Sequence, residues 1–257
     1  MIRVFVGCAP DGADAESQAV LEHSLRSRCS EPVEITWMIA SRDPKSVFSG
    51  WDMSRWATPF SGFRWVVPML AGFEGRAIYM DSDVVVLADL AELWRMELRP
   101  RAIVAARSPK KFCVSLWDCA AARQHLFQPP FLRRADGHDR QSAYFDAKPW
   151  LVHRFDGGWN FLDDVGLAPL AEAKILHYTA LDTQPHMRHA LPRLAAAGRS
   201  HWYDGPRRPH PRYDVVQRFE LEFAAAKEAG YTVDRYLPVE RYGELGKRSM
   251  VNYRRAR

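Results

Sequence analysis

The run Ile78–Val86, IYMDSDVVV, sets two carboxylates, Asp81 and Asp83, inside an otherwise apolar stretch. Short apolar runs rich in β-branched residues form strands buried on both faces, as in largely parallel sheets covered by helices. An ionised carboxylate resists such burial unless a cation or hydrogen bonds compensate it. The run therefore constrains the chain twice. It calls for a covered sheet, and it calls for a partner to the acids where the strand ends.

The neighbouring segments supply the rest of that sheet. Ile2–Gly7 reads as a buried strand closed by glycine, and Val33–Ile39 (VEITWMI) as a second. Between them Ala13–Arg28 reads as a helix, with Asp14 and Glu16 near its start and Arg26 and Arg28 near its end, matching the helix dipole. Ser41–Pro59 reads as loop, Ser61–Gly72 as a helix that Pro68 kinks or breaks, and Arg76–Met80 as a strand. Two more strands begin near Ala102 (AIVAAR) and Phe112 (FCVSLWD). This alternation predicts an α/β fold, a Rossmann-related mixed, mostly parallel sheet flanked by helices. Ligands of such sheets sit beyond the carboxyl ends of the strands, where Asp81 and Asp83 fall.

The second half is less regular. Arg123–Gly137, with FQPPF, reads as loop, Asp139–Ala147 as a short helix, and Gly157–Gly166 as turn-rich. KILHYT places His177 directly after the short apolar strand Ile175–Leu176. Asp214–Ala229 reads as a helix, capped by Asp214 with Gln217 and stopped by Gly230, with Val216, Phe219, Phe223 and Ala226 on its apolar face. The expected organisation is a nucleotide-binding catalytic domain over residues 1–185 and a helical basic extension over 186–257.

Composition narrows the function classes. With 257 residues and 47% hydrophobic content a sizeable core is available. No apolar run reaches the ~18–20 residues that span a bilayer. The opening MIRVFVG starts as a strand, so a secretory leader is not expected. Cys8, Cys29, Cys113 and Cys119 are widely spaced, as in a reduced, cytoplasmic protein. The net charge of +5 is uneven: from Arg188 onward there are fifteen Lys and Arg against eight Asp and Glu. Such a tail is either a solvated basic face or a surface for an anionic partner, such as the inner face of a membrane. Its aromatics, among them Trp202, Tyr203, Tyr213, Tyr236, Tyr242 and Tyr253, also fit stacking on single-stranded nucleic acid, but no nucleic-acid motif accompanies them and no nucleic acid is expected.

Two carboxylates in D-x-D order at a strand end serve one of three purposes. They hold a hard divalent cation that bridges a diphosphate. They act as nucleophile and general acid, as in haloacid dehalogenase-type phosphatases. Or they cap a turn. The phosphatase motif normally follows the first strand of its domain, whereas two strands precede this one. Asp163–Asp164 is the candidate for that family's downstream acidic pair, but no clean apolar strand leads into it. His177 adds an imidazole, a suitable third ligand for manganese beside carboxylates.

Ser61–Trp94, SGFRWVVPMLAGFEGRAIYMDSDVVVLADLAELW, resembles glycosyltransferase family 8 in its order of S/T-x-x-R helix, strand, D-x-D and DL-x-x-L. Val4–Gly12 (VFVGCAPDG) is similar to that family's first nucleotide-binding strand and loop, and Trp159–Asn160 and His177–Thr179 to its later blocks. The resemblance implies a GT-A fold, a nucleotide-sugar donor (usually a UDP-sugar), Mn2+ or Mg2+, and transfer of a hexose with retention to a saccharide or lipid-linked glycan acceptor. It implies Asp81, Asp83 and His177 as metal ligands. It implies Val6, Gly7, Cys8, Ser61, Arg64, Ser82 and Gln184 at the donor, and Trp159 and Asn160 at sugar or acceptor. It implies Asp139 beside the reacting centre, with Gln141 as its neighbour, although the family's D-Q-D-like block is blurred in GHDRQSAYF and both residues also fit an ordinary helix start. The chain departs from the family in two further places. CAPDG offers no aromatic to stack on the base, and HYTALDTQPHMRHA lacks the lysine of H-x-x-G-x-x-K-P-W, leaving Gln184 or Arg188 in its stead.

Overall fold

The computed structural model describes residues 1–163, 168–238, 241–243 and 245. Asp164 and Tyr253 lie outside the described residues. The strands are β1 (Ile2–Cys8), β2 (Val33–Ile39), β3 (Arg76–Asp81), β4 (Val84–Val86), β5 (Val104–Ser108), β6 (Lys111–Asp118), β7 (Val152–Arg154), β8 (Phe161–Leu162) and β9 (Ile175–His177). The helices are α1 (Ala15–Arg28), α2 (Val67–Leu70), α3 (Leu90–Trp94), α4 (Cys119–Ala122), α5 (Pro129–Leu132), α6 (Gly137–Asp146), α7 (Met187–Ala196) and α8 (Tyr213–Glu228).

Six strands form one mixed sheet in the order β2-β1-β3-β6-β5-β7. β2, β1 and β3 run parallel, β6 is antiparallel to β3 and β5, and β7 is parallel to β5. Side chains alternate across the sheet, so each face has its own core. Ile2, Val4, Val6, Ile78 and Met80 pack with Leu21 and Leu25 of α1. Phe5, Ala77, Tyr79 and Trp117 point the other way, into an aromatic cluster with Trp56, Phe63, Trp65, Phe112 and Phe145. Trp65 stacks on Phe145 with centroids 5.6 Å apart.

The apolar run that flanks the two aspartates is not one strand. β3 ends at Asp81 in the large sheet, and β4 begins at Val84 in a second sheet of order β4-β9-β8. Asp81, Ser82 and Asp83 thus span the passage from one sheet to the other. β4 pairs antiparallel with β9, and Val84 stands opposite His177.

Two local readings are corrected. Residues 61–72 are not one helix: a 3-10 turn, Phe63–Val66, leads into α2, with Pro68 in its first turn. Proline lacks an N–H, which is no loss there, so Pro68 helps start a helix instead of kinking one. Asp214 does not cap α8; Arg212 is the cap residue and its guanidinium binds the Asp214 carboxylate at 2.6 Å, and Val215, not Val216, is buried.

Of the described residues after 186, those of α7 and α8 pack on the body. Arg193 of α7 binds Glu16 of α1 at 2.7 Å, and Arg28 of α1 binds Glu222 of α8. Farther on, the backbone N–H groups of Tyr242 and Gly243 donate to Asp11 at 2.6 and 3.1 Å. No helix among the described residues is long and apolar enough to cross a membrane.

Candidate active site

Parallel register brings Gly7 beside Asp81 at the carboxyl edge of the sheet. The Ser82 N–H donates to the Gly7 carbonyl at 3.0 Å. A side chain at position 7 would meet Tyr79 Oη at 2.6 Å and Phe60 at 2.9 Å, so the close approach requires glycine. Val6 and Cys8 are fully buried, and the Cys8 thiol donates to the Val6 carbonyl at 3.6 Å. Only their backbone groups face the strand edge as candidates for a ligand.

Asp81 is held on the protein side by two donors. Arg64 Nη2 reaches its two oxygens at 3.1 and 3.3 Å, and Tyr79 Oη donates at 2.5 Å. Arg64 also donates through Nε to the Ser61 carbonyl at 2.7 Å, and its guanidinium lies over the Tyr79 ring. Burial alone would lower the guanidinium's pKa; Asp81, Tyr79 and Cys113 together outweigh it and keep Arg64 charged. The Ser61 hydroxyl closes a local turn by accepting from the Thr58 N–H at 3.1 Å.

Asp83 lies 3.2 Å from His177 Nε2 through Oδ1 and accepts from Gln184 Nε2 at 2.6 Å through Oδ2. Gln184 also donates to the Tyr178 carbonyl at 2.7 Å, which locks its amide in place. The buried Oδ1 of Asp83 has no hydrogen-bond partner among the described residues. Burial raises the Asp83 carboxyl above the usual range; His177 pulls it down and Asp81 pushes it further up. For His177, burial is outweighed by the pull of Asp83, which raises the imidazole. His177 Nε2 is also 4.0 Å from Asp81 Oδ2, and its Nδ1 is 3.0 Å from Asn160 Oδ1. An amide oxygen only accepts, so Nδ1 carries the proton and Nε2 of the neutral ring keeps its lone pair toward the acids.

Asp81, Asp83 and His177, nearly a hundred residues apart in sequence, therefore converge. Sulfur joins two of them: ligand atoms of Asp81, Cys113 and His177 all lie within 4.8 Å of one another, a set that does not include Asp83. An orphaned carboxylate oxygen, a second carboxylate and an imidazole lone pair fit a divalent cation.

The other expected residues are placed as follows. Trp159 is buried in the core, with Lys174 Nζ 4.7 Å over its ring. Asn160 sits behind His177 and orients it. Arg188 is on the surface near Glu220, at 3.8 Å, so Gln184 is the one of that pair brought to the aspartates. Asp139 and Gln141 make their contacts elsewhere. Asp139 pairs with Arg55 at 2.8 Å where both side chains are exposed. Gln141 is buried and clamps a loop, accepting from the Phe127 N–H at 2.7 Å and donating to the His125 carbonyl at 3.0 Å.

Two features escape the sequence reading. His138, next to Asp139, accepts the Trp65 indole N–H at Nδ1, 2.9 Å away, and burial with the nearby Arg64 pushes it down to about 3. Behind Ser82, whose Oγ is 3.5 Å from Asp14 Oδ2, Asp14 accepts from the Ala9 N–H at 3.1 Å and the Trp202 indole at 3.0 Å, with His201 Nε2 at 3.4 Å and His186 Nε2 at 3.9 Å. In sequence Asp14 shows only as an acid near a helix start. Burial pushes His186 from 6.5 down to about 4. The unfolded chain protonates this histidine below 6.5 while the fold keeps it neutral to about 4, so stability falls as pH drops through that window. The expected loss is about 3 kcal/mol by pH 4, and His186→Gln should flatten it. Urea midpoints at pH 7 and pH 5 check this; identical acid losses in both proteins would refute it.

The large mixed, mostly parallel sheet flanked by helices matches GT-A-like glycosyltransferase folds. The galactosyltransferase LgtC, solved with donor and acceptor sugar analogues, superposes with TM-score 0.54 at 12% identity over 90% of this chain and 100% of its own. GlyE of Streptococcus pneumoniae TIGR4 gives TM-score 0.57 at 13% identity, over 95% of this chain and 66% of that one. The bifunctional glycosyltransferase WbbM gives 0.52 at 14% identity, over 72% of this chain but only 46% of its own length. In sequence, Protein CDI of Arabidopsis thaliana is 27% identical over 206 residues, 69% of this chain and 77% of that protein. No family model matches the chain.

Proposed function

We propose that the protein is a metal-dependent glycosyltransferase that moves a hexose from a nucleotide-sugar, a UDP-sugar on the present reading, to a saccharide or lipid-linked acceptor with retention of configuration. The observation that carries this reading is the convergence of Asp81, Asp83 and His177 at the carboxyl edge of a GT-A-like sheet. A cation held by these three, Mn2+ or Mg2+ on this reading, would supply charge to offset what develops on the departing diphosphate.

The chain's own residues do the rest. Tyr79 and Arg64 hold Asp81 in place by donating to its carboxylate. Asn160 fixes the His177 tautomer, and Gln184 fixes the rotamer of Asp83. Backbone groups of Val6, Gly7 and Cys8 line the edge where a nucleoside would lie, with Ser82 at the turn. Arg64, charged and buried beside the acids, would be the cation that meets the donor's phosphates or sugar. Asp139, with Gln141 as its neighbour, stays the proposed residue beside the reacting centre, although Asp139 pairs with Arg55 and Gln141 clamps the chain at residues 125 and 127. The basic extension would meet the anionic acceptor or the inner membrane face.

A phosphatase reading needs Asp81 free as a nucleophile, whereas Arg64 and Tyr79 both grip it. The test is product analysis. UDP-hexoses with Mn2+ and glycan acceptors should release UDP and yield glycoside. Rapid phosphate release from a phosphomonoester, with no UDP formed from any UDP-sugar, would overturn the reading.

A further inference from the structure

We propose that Cys113 supplies a thiol to the cation held by Asp81, Asp83 and His177, so that the centre takes a softer ion, such as zinc or cobalt, in preference to magnesium. The inference rests on the metal-site reading above and adds a ligand to it.

Strand register carries the argument first. β3 and β6 run antiparallel with Tyr79 opposite Ser115 and Met80 opposite Val114. One further step along that ladder sets Cys113 opposite Asp81, and residues directly opposite in a sheet share a face. Cys113 is thus the cross-strand neighbour of the acid that ends β3. The distances agree: the Cys113 sulfur, a carboxylate oxygen of Asp81 and a ring nitrogen of His177 lie within 4.8 Å of one another. Three ligands around one cation at bond lengths of ~2.0–2.3 Å stand roughly 3–4 Å apart, so small side-chain movements close this set.

A second observation points to the same spot. The buried Oδ1 of Asp83 lacks a hydrogen-bond partner among the described residues and lies 3.2 Å from His177 Nε2. It is an unpartnered acceptor beside the imidazole of that set. Cys113 is half-buried as a residue. Arg64 Nη1 stands 3.8 Å from the sulfur, a cation that favours the thiolate when the proton leaves.

Chemistry then sets the ion. Carboxylates and water suit magnesium, while thiolate draws zinc and cobalt. On binding, the S–H bond breaks, its proton passes to water, and the freed sulfur electron pair forms the bond to the cation. No oxidant or reductant is involved.

Cobalt titration of the purified protein provides the test. Cobalt should give visible ligand-field bands together with a near-ultraviolet sulfur-to-cobalt charge-transfer band. Cys113→Ser should keep the visible bands and lose the ultraviolet one, and zinc should displace cobalt at a concentration about tenfold or more below that of magnesium. Visible bands with no charge-transfer band in the wild type would overturn the thiol ligand while leaving the metal site standing. A charge-transfer band that survives in Cys113→Ser would overturn it too. No cobalt bands at all, together with no UDP binding in manganese, would overturn the underlying site. Should the variant fail to fold, iodoacetamide mapping of the wild type decides: zinc should slow alkylation of Cys113 at least severalfold and leave Cys29 unchanged, and equal alkylation of Cys113 would refute the proposal.

Discussion

Asp83→Asn should lose metal-dependent sugar transfer by about a thousandfold or more while the metal-free protein melts no lower than wild type. The two halves of this expectation have one cause. Asp83 is buried, its Oδ1 lacks a hydrogen-bond partner among the described residues, and burial raises its pKa. A carboxyl whose folded pKa is raised weakens the fold as pH rises through its unfolded value, because the fold resists its ionisation. At neutral pH the charge is therefore a burden without a cation, and asparagine removes it. The substituted amide keeps an oxygen that can accept from Gln184, so the local frame stays. Transfer rates and thermal melts in chelator check both halves. A variant with wild-type transfer would sink the metal assignment, and a variant that melts well below wild type would sink the claim that the charge is there for function.

Arg64→Ala should destabilise the metal-free protein by about 3–5 kcal/mol, the largest stability loss expected of any site residue. The size follows from burial. Arg64 and Asp81 form an ion pair with side chains 9% and 7% exposed, so removing the cation strands a carboxylate in the core. Among the described residues Tyr79 Oη is then the hydrogen-bond donor left to it, with His177 Nε2 4.0 Å away. Asp81→Asn in the same background should recover most of the loss, since the stranded charge is then gone. Urea denaturation of the two single variants and the double variant gives the coupling. A loss under about 1 kcal/mol, or a double variant as weak as the sum of both singles, would mean the pair is not what holds Asp81.

Much of the fold is legible because its signals are local. β1 and β2 are short, β-branched and apolar, and β3 ends where the acid appears. Their alternation with α1 is enough to call for a covered parallel sheet. His177 is legible for the same reason, since it closes an apolar strand. What escapes depends on contacts far along the chain. Asp14 reads as an acid near a helix start, yet its carboxylate is tied to Trp202, 188 residues away. Gln141 sits near the start of a short helix, where a polar residue looks free for chemistry; the loop at 125–127 claims both ends of its amide. Pro68 looks like a helix breaker until the helix is seen to begin one residue earlier. Asp214 has the spacing of a cap, but the guanidinium two residues before it takes the carboxylate. Cys113 carries no motif at all; only the β3–β6 register places it opposite the acids.

The most direct test of the central claim is calorimetric titration of UDP into the protein with chelator and with Mn2+. The account predicts binding in manganese, none that is measurable in chelator, and loss of the manganese-dependent binding in His177→Ala, whose imidazole stands between the two aspartates. Equal UDP binding with and without the ion, or undiminished binding in His177→Ala, would contradict it.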